Sequence, residues 1–204
     1  MTADFIKYLR KQTLLNDIPL DDGLILPGHI DGGMMGDRNQ AEYSNVYWNL
    51  AGLKALIQAA EWIDEKQDAK VLKKEYDDFY ATFQKAAERD MAIDAFGNRY
   101  LPTVMDPTFR SLPQRAQWAF CQAVYPGQIF DMNDPIAQGT MDMLRTTLQQ
   151  GIVMGTGWDI DGIWNYFAGF YGHACLWMGD GKSACASLYA FANHASPLYA
   201  WREE

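Results

Sequence analysis

The stretch Gly155–Trp177, GTGWDIDGIWNYFAGFYGHACLW, carries three tryptophans, four other aromatics and two aspartates in 23 residues. Its second part, NYFAGFYGHACLW, is apolar or aromatic around most of a helical circumference, the pattern of a helix packed on several sides. Its first part, GTGWDIDG, is a glycine-punctuated loop bearing Trp158, Asp159 and Asp161. Either the loop merely starts the helix or it holds a ligand, depending on where the rest of the chain places its aromatics and acids.

Helical periodicity recurs through the remainder, while strand signals are scarce. Phe5, Leu9 and Leu14 mark a first segment, and Val46, Leu50, Leu53, Leu56, Ile57 and Ala60 a helix over 44–63. A third helix, 67–90, sets Leu72, Tyr76, Phe79, Phe83 and Ala86 on one face and charges on the other. Later helices are expected near 112–125, 134–149, 162–178 and 181–193. Pro113 in a first turn, Asp134–Pro135 as N-cap and N1, and Gly127 and Gly179 just past helix ends support these limits. The reading is an all-α chain of antiparallel helical hairpins.

The connections alternate in length: 16–43, 91–111, 150–161 and 194–204 are long, and 64–66 and 179–180 short. If successive helices run antiparallel, every other connection lies at the same end of the bundle, so the long loops share one face. They read LILPGHIDGGMMGDRNQAEYSN, FGNRYLPTVMDPTFRSLP, GIVMGTGWDIDG and NHASPLYAWREE. Helices 44–63 and 162–178 are expected to be inner, and the half-polar 67–90 and 134–149 outer. An internal echo agrees: Trp62–Ile63, Ala69 and Tyr76 recur at the same spacing as Trp177–Met178, Ala184 and Phe191.

Composition narrows the class. At 204 residues, 49% hydrophobic and 14% aromatic, the chain has ample material for a core. A net charge of -9 without a basic cluster disfavours nucleic acid as a partner. No run of 18 apolar residues suggests a membrane span, and the amphipathic MTADFIKYLRKQ is unlike a signal peptide, so a cytoplasmic location is expected if that N-terminus is native. Cys121, Cys175 and Cys185 read as small apolar residues.

The segments AEYSNVYWNLAGLKALIQAAEWI, DGIWNYFAGFYGHACLWMGDGKSACASLYAFANHASP and the closing WREE resemble the hairpin units of the six-hairpin glycosidase superfamily. GTGWDIDGIW is similar to a Gly-Trp-Asp segment ahead of an inner helix in some of its members. The resemblance implies part of an (α/α)6 toroid, with inner helices lining a cavity, a sugar held among the loops at one mouth, and two carboxylates catalysing hydrolysis with inversion. Seven helices stand where the toroid has twelve, so residues 1–204 are expected to form a partial catalytic domain whose remainder is missing from this chain.

On that reading Trp158 and Trp164, with Tyr47 and Trp48, are platforms for sugar rings, because aromatic faces stack on the C–H faces of pyranoses. Asp161 or Asp159 is expected as general acid and Glu203 as base, with Glu204 adjacent and Asp31 as hydroxyl ligand or alternative acid. Arg202 would keep a neighbouring carboxylate ionised beside Trp201, and His194 would bind a sugar hydroxyl. Structural alternatives stand beside each: Asp161 as a helix cap, Trp164 as core, the Glu pair as first-turn acids, His194 as a helix closure, and Asp37 as a turn residue. His29, His173 and His194 lack a metal-like spacing, GDGKSA lacks the phosphate-loop pattern, and no metal or other cofactor is expected. Two other classes compete. A helical-repeat binding module would share the hairpin echo, but not the one-sided long loops. A polysaccharide lyase of the same fold would act on polyanions, which the acidic net charge disfavours.

Overall fold

The computed structural model of the chain describes residues 2–10, 23, 24, 41–106, 108 and 111–202. Among these the chain forms seven helices: α1 (Thr2–Arg10), α2 (Tyr43–Trp62), α3 (Lys66–Asp90), α4 (Trp118–Val124), α5 (Pro135–Thr146), α6 (Asn165–Trp177) and α7 (Gly181–Asn193). The mostly helical class expected from periodicity is therefore observed. Two small antiparallel hairpins were not expected: β1 (Ala92–Ile93) with β2 (Arg99–Tyr100), and β3 (Leu148–Gln149) with β4 (Ile152–Val153).

α4 lies between α2 and α6, so three helices form an inner row; α3 packs on α2, and α7 on α6. Their shared core is aromatic. Tyr47 of α2 sets its ring edge-on to Phe83, Phe120 and Phe130 at 5.8, 6.1 and 6.1 Å. Phe79, Phe167 and Tyr171 complete the same buried cluster. Each such ring contributes about 1.5–3 kcal/mol through burial.

The two tight turns are built alike, which gives the sequence echo a physical basis. In the first, Glu65 N donates to Ala60 O (2.8 Å) and Asp64 N to Glu61 O (3.2 Å). In the second, Asp180 N donates to Cys175 O (2.8 Å) and Gly179 N to Leu176 O (3.1 Å). This paired pattern closes a helix only when one residue turns left-handed, and Asp64 (φ 64°) and Gly179 (φ 81°) do so.

Where helix limits differ from expectation, the backbone explains why. The segment before Trp118 is turns rather than helix, because Ala116 is left-handed (φ 60°) and spends its N–H on Thr156 O at 3.0 Å. α5 begins as expected, with the Asp134 carboxylate accepting from Ile136 N (2.8 Å) and Ala137 N (3.3 Å). It stops early because Gln150 (φ 50°) and Gly151 (φ 84°) form the tight turn that pairs β3 with β4.

Contacts beyond the inner row fix the outer elements. Gly139 brings α5 so near β2 that a Cβ there would sit 1.9 Å from Arg99 O. The adjacent Thr140 Oγ1 accepts from Leu101 N at 3.0 Å. α1 is held to α3 by Arg10, whose guanidinium reaches Glu75 (2.6 Å) and Asp78 (2.9 Å), donates to Gly23 O (2.6 Å) and lies over the Phe79 ring. α6 is not covered on every side as its composition suggested. It buries Phe167, Tyr171 and Cys175, while Tyr166, Gly169, His173 and Leu176 remain exposed.

Candidate active site

The described parts of the long connections meet edge to edge at one end of the inner row. Tyr43 N donates to Thr103 O (3.0 Å) and Met105 N to Ala41 O (2.8 Å), with Glu42 bridged to Val104 between them. Ala116 N donates to Thr156 O (3.0 Å), and Arg115 Nη1 to Trp158 O (3.2 Å). Asn165 Nδ2 at the start of α6 donates to Arg202 O (2.7 Å). Among the described residues these contacts bring segments 41–43, 103–105, 115–116, 156–158 and 202 close to the N-termini of α2, α4 and α6.

A row of indoles crosses this rim. Trp48 of α2 lies 6.1 Å from Trp118 at the start of α4, and Trp118 lies 6.3 Å from Trp164 at the N-cap of α6. Trp164 in turn meets Trp158 and Tyr166, each at 5.8 Å. Trp48 and Trp158 are 43% and 50% exposed, so part of each ring is accessible, whereas Trp164 is 8% exposed. Among the described residues the buried indole N–H groups of Trp118 and Trp164, like that of Trp177, have no hydrogen-bond partner.

The two aspartates of the opening loop are both exposed, and Asp159 Oδ1 accepts from Asp161 N at 3.0 Å. Asp161 does not cap the helix: α6 starts at Asn165 with Trp164 in the N-cap position. Instead Asp161 lines a cleft of about 540 Å³ with Asn165, His194, Ser196 and Arg202. A second cleft of about 560 Å³ shares Asn165 and Arg202 and adds Tyr166, Phe170, His173 and Trp201. The buried Asn165 Oδ1, on the residue the two clefts share, has no partner among the described residues.

Three predicted residues sit in more structural settings. Tyr47 is 4% exposed within the aromatic core, which leaves no ring face for a sugar; Trp48, the next residue around α2, faces out. Trp201 lies flat on Phe191 (4.5 Å between centroids, 8° between planes) and donates its N–H to Phe191 O at 2.8 Å. His194 is the C-cap of α7, and its Nδ1 hydrogen-bonds Ala190 O at 2.7 Å, so it closes the helix while bordering the cleft. Asp31, Glu203 and Glu204, with His29 and Asp37, lie outside the described residues.

Two rim residues escaped the sequence reading. Trp118 links the other indoles, and its place at an inner-helix N-terminus was blurred by expecting that helix to start earlier. Glu42, directly before α2, is 6% exposed, and burial raises its carboxyl to about 7 against a weaker opposing hydrogen bond from Ser44. The signal for it was positional: it precedes an inner helix, as Asp161 does.

Among the described residues, no helix is long and apolar enough to cross a membrane, and no group of three or more His, Cys, Asp or Glu side chains is placed to hold a metal ion. Comparisons with protein-family models, with curated proteins and with solved structures find no match to this chain.

Proposed function

We propose that the chain is a glycosidase fragment or domain that hydrolyses a neutral glycoside or oligosaccharide at this rim by carboxylate acid/base catalysis, with inversion. The observation that carries the reading is the row Trp48–Trp118–Trp164–Trp158 lying across the N-termini of three inner helices, beside the exposed Asp159 and Asp161. The exposed indoles Trp48 and Trp158 suit the apolar faces of pyranose rings, and flanking carboxylates and the Asn165 amide suit their hydroxyls.

In such a reaction one carboxyl, of Asp161 or Asp159, protonates the departing oxygen while a second carboxylate, of Glu203, removes a proton from the attacking water. Two carboxyls about 6.5–9.5 Å apart leave room for that water. The acidic net charge favours neutral over polyanionic substrates.

The finer proposal on fold is that α2, α4 and α6 belong to an (α/α)6 toroid continued by helices outside this chain. What supports it is the uncovered flank of α6 and α7, a groove of about 410 Å³ lined by Gly169, Gly172, Leu176, Cys185 and Leu188, where a further hairpin would pack. One-sided long loops, two of them stiffened by β-hairpins, favour an enzyme over a repeat-type binding module.

The test is to incubate the full protein, and its Asp161→Asn and Glu203→Gln variants, with a panel of neutral glycosides. Turnover by the parent and its loss in one or both variants is the expected result. Equal turnover in all three would remove this pair, and no turnover of any glycoside would remove the hydrolase reading.

A further inference from the structure

The outward stripe of α6 is aromatic with one gap. Tyr166, Phe170 and His173 line the cleft of about 560 Å³, and Gly169 stands among them without a side chain. A Cβ at Gly169 meets nothing within 4 Å, so the space over it is open. The remaining wall is the Trp201–Phe191 stack, its centroids 4.5 Å apart and its planes 8° from parallel. Rings from two parts of the chain thus surround a gap of the size that holds a small molecule.

That wall is fastened at three points. Trp201 Nε1 donates to Phe191 O (2.8 Å), Ser196 N to Ala200 O (2.8 Å), and Asn165 Nδ2 at the start of α6 to Arg202 O (2.7 Å). A cleft already held in shape loses little freedom when a ligand enters. It also joins the rest of the rim. Tyr166 lies 5.8 Å from Trp164, which lies 5.8 Å from Trp158, and Asn165 and Arg202 line both this cleft and the one that holds Asp161. The aromatic cleft therefore ends at polar side chains, beyond which stand Asp161, His194 and Ser196. The groove of about 410 Å³ shares Gly169, His173 and Phe191 with it and runs on along α6 to Leu176 and Leu188, away from Asp161.

We propose that the cleft over Gly169 binds a flat aromatic ring of phenol type, packed among Tyr166, Phe170 and Trp201, with its oxygen at Asn165 and Arg202. Aromatic pairs gain attraction beyond the area they bury, which favours a ring over an aliphatic group of the same size. The Asn165 amide and the Arg202 guanidinium, at the end shared with the Asp161 cleft, carry hydrogen-bond donors for an oxygen. The role of that ring rests on the glycosidase reading: it is the leaving group of an aryl glycoside whose sugar occupies the Asp161 cleft. The bonding pair of the broken C1–O bond stays with the aryl oxygen, which takes a proton from the acid, while the oxygen of a water molecule bonds C1 and its proton passes to the base. One aryl glycoside and one water give one free sugar and one phenol.

The experiment titrates 2-naphthol, and its saturated counterpart decahydro-2-naphthol, into the full protein by isothermal calorimetry, with Gly169→Leu and Tyr166→Ala beside the parent. The expected result is saturable binding of 2-naphthol with a Kd of about 1 mM or tighter, and of the saturated alcohol about three- to tenfold more weakly. Gly169→Leu puts a side chain where the ring lies and abolishes binding. Tyr166→Ala removes an exposed ring and weakens binding about three- to tenfold. Thermal melting checks both folds, and where Gly169→Leu melts early Tyr166→Ala carries the comparison. No saturable binding by the parent, equal binding of the two alcohols, or unchanged binding in the folded variant overturns the site. Kinetics on a 2-naphthyl and an alkyl glycoside of one sugar tests the ring's role. Gly169→Leu should lower kcat/KM on the naphthyl glycoside by about tenfold or more and on the alkyl glycoside by less than about threefold; an equal loss on both overturns the leaving-group role. A parent inert toward both glycosides overturns the glycosidase reading and that role with it, while the titration decides the ring site by itself.

Discussion

Gly139→Ala tests the packing of α5 against the 99–101 segment that leads into the rim. The added Cβ would lie 1.9 Å from Arg99 O and 3.1 Å from Arg99 C, both backbone atoms without a rotamer to yield. Reaching even 3.0 Å from the oxygen requires the two backbones to part by about 1.1 Å, since 3.0 less 1.9 is 1.1. That separation stretches the buried Leu101 N to Thr140 Oγ1 bond from 3.0 Å beyond hydrogen-bonding range. Overpacking costs about 1–3 kcal/mol, and the orphaned buried amide about 1–3 kcal/mol more. The better helix propensity of alanine returns about 1 kcal/mol. The net expectation is a loss of about 3 kcal/mol, or roughly 6–12 °C in Tm for a chain of this size. Urea unfolding followed by circular dichroism measures it, with Gly169→Ala as the control. A Cβ at Gly169 meets nothing within 4 Å, so that variant should gain about 1 kcal/mol. Equal stability of Gly139→Ala and the parent would refute the close approach of α5 to β2.

Arg10→Met leaves the buried Glu75, whose side chain and that of Arg10 are each 9% exposed, with the longer 3.8 Å contact to Lys7, and should cost about 3 kcal/mol in urea unfolding; Glu75→Leu added to it should recover much of the loss. Asp64→Gly relieves a left-handed residue in the first tight turn and should raise stability by about 1 kcal/mol, since the exposed Lys66 contact it forfeits is worth little. Glu42→Gln should flatten the pH dependence of stability. A carboxyl raised from 4.5 to about 7 binds more protons folded than unfolded between those values, so stability falls as pH rises through that window, by about 3 kcal/mol in all; at pH 8 the variant should therefore melt above the parent, and a lower Tm there would contradict the burial argument. Trp158→Ala should weaken sugar affinity by about tenfold, the worth of one stacked ring, with little change in Tm.

Much of the scaffold was legible because its signals are local. Asp134–Pro135 announces a helix start through side-chain chemistry that needs no tertiary context, and the caps found on it are those expected. The matched turns at Asp64 and Gly179 likewise follow from neighbouring residues alone. What stayed hidden depends on contacts distant in sequence. Ala116 turns left-handed to meet Thr156, an interaction spanning forty residues, so the start of α4 could not be read from PQRAQW. Tyr47 and Trp48 have similar amphipathic rings, and only the position of α3 and α4 around α2 decides that the first is core and the second rim. Glu42 was hidden for the same reason: a glutamate is ordinarily a surface residue, and its dryness arises where the 41–43 and 103–105 segments cross.

Whether this rim cleaves glycosidic bonds is read directly by proton NMR of the full protein incubated with neutral glycosides, recorded within the first minutes before mutarotation. The expected result is release of free sugar whose first-formed anomer is opposite to that of the substrate. A product anomer that matches the substrate would contradict inversion, and the absence of any released sugar across the panel would contradict the hydrolase itself.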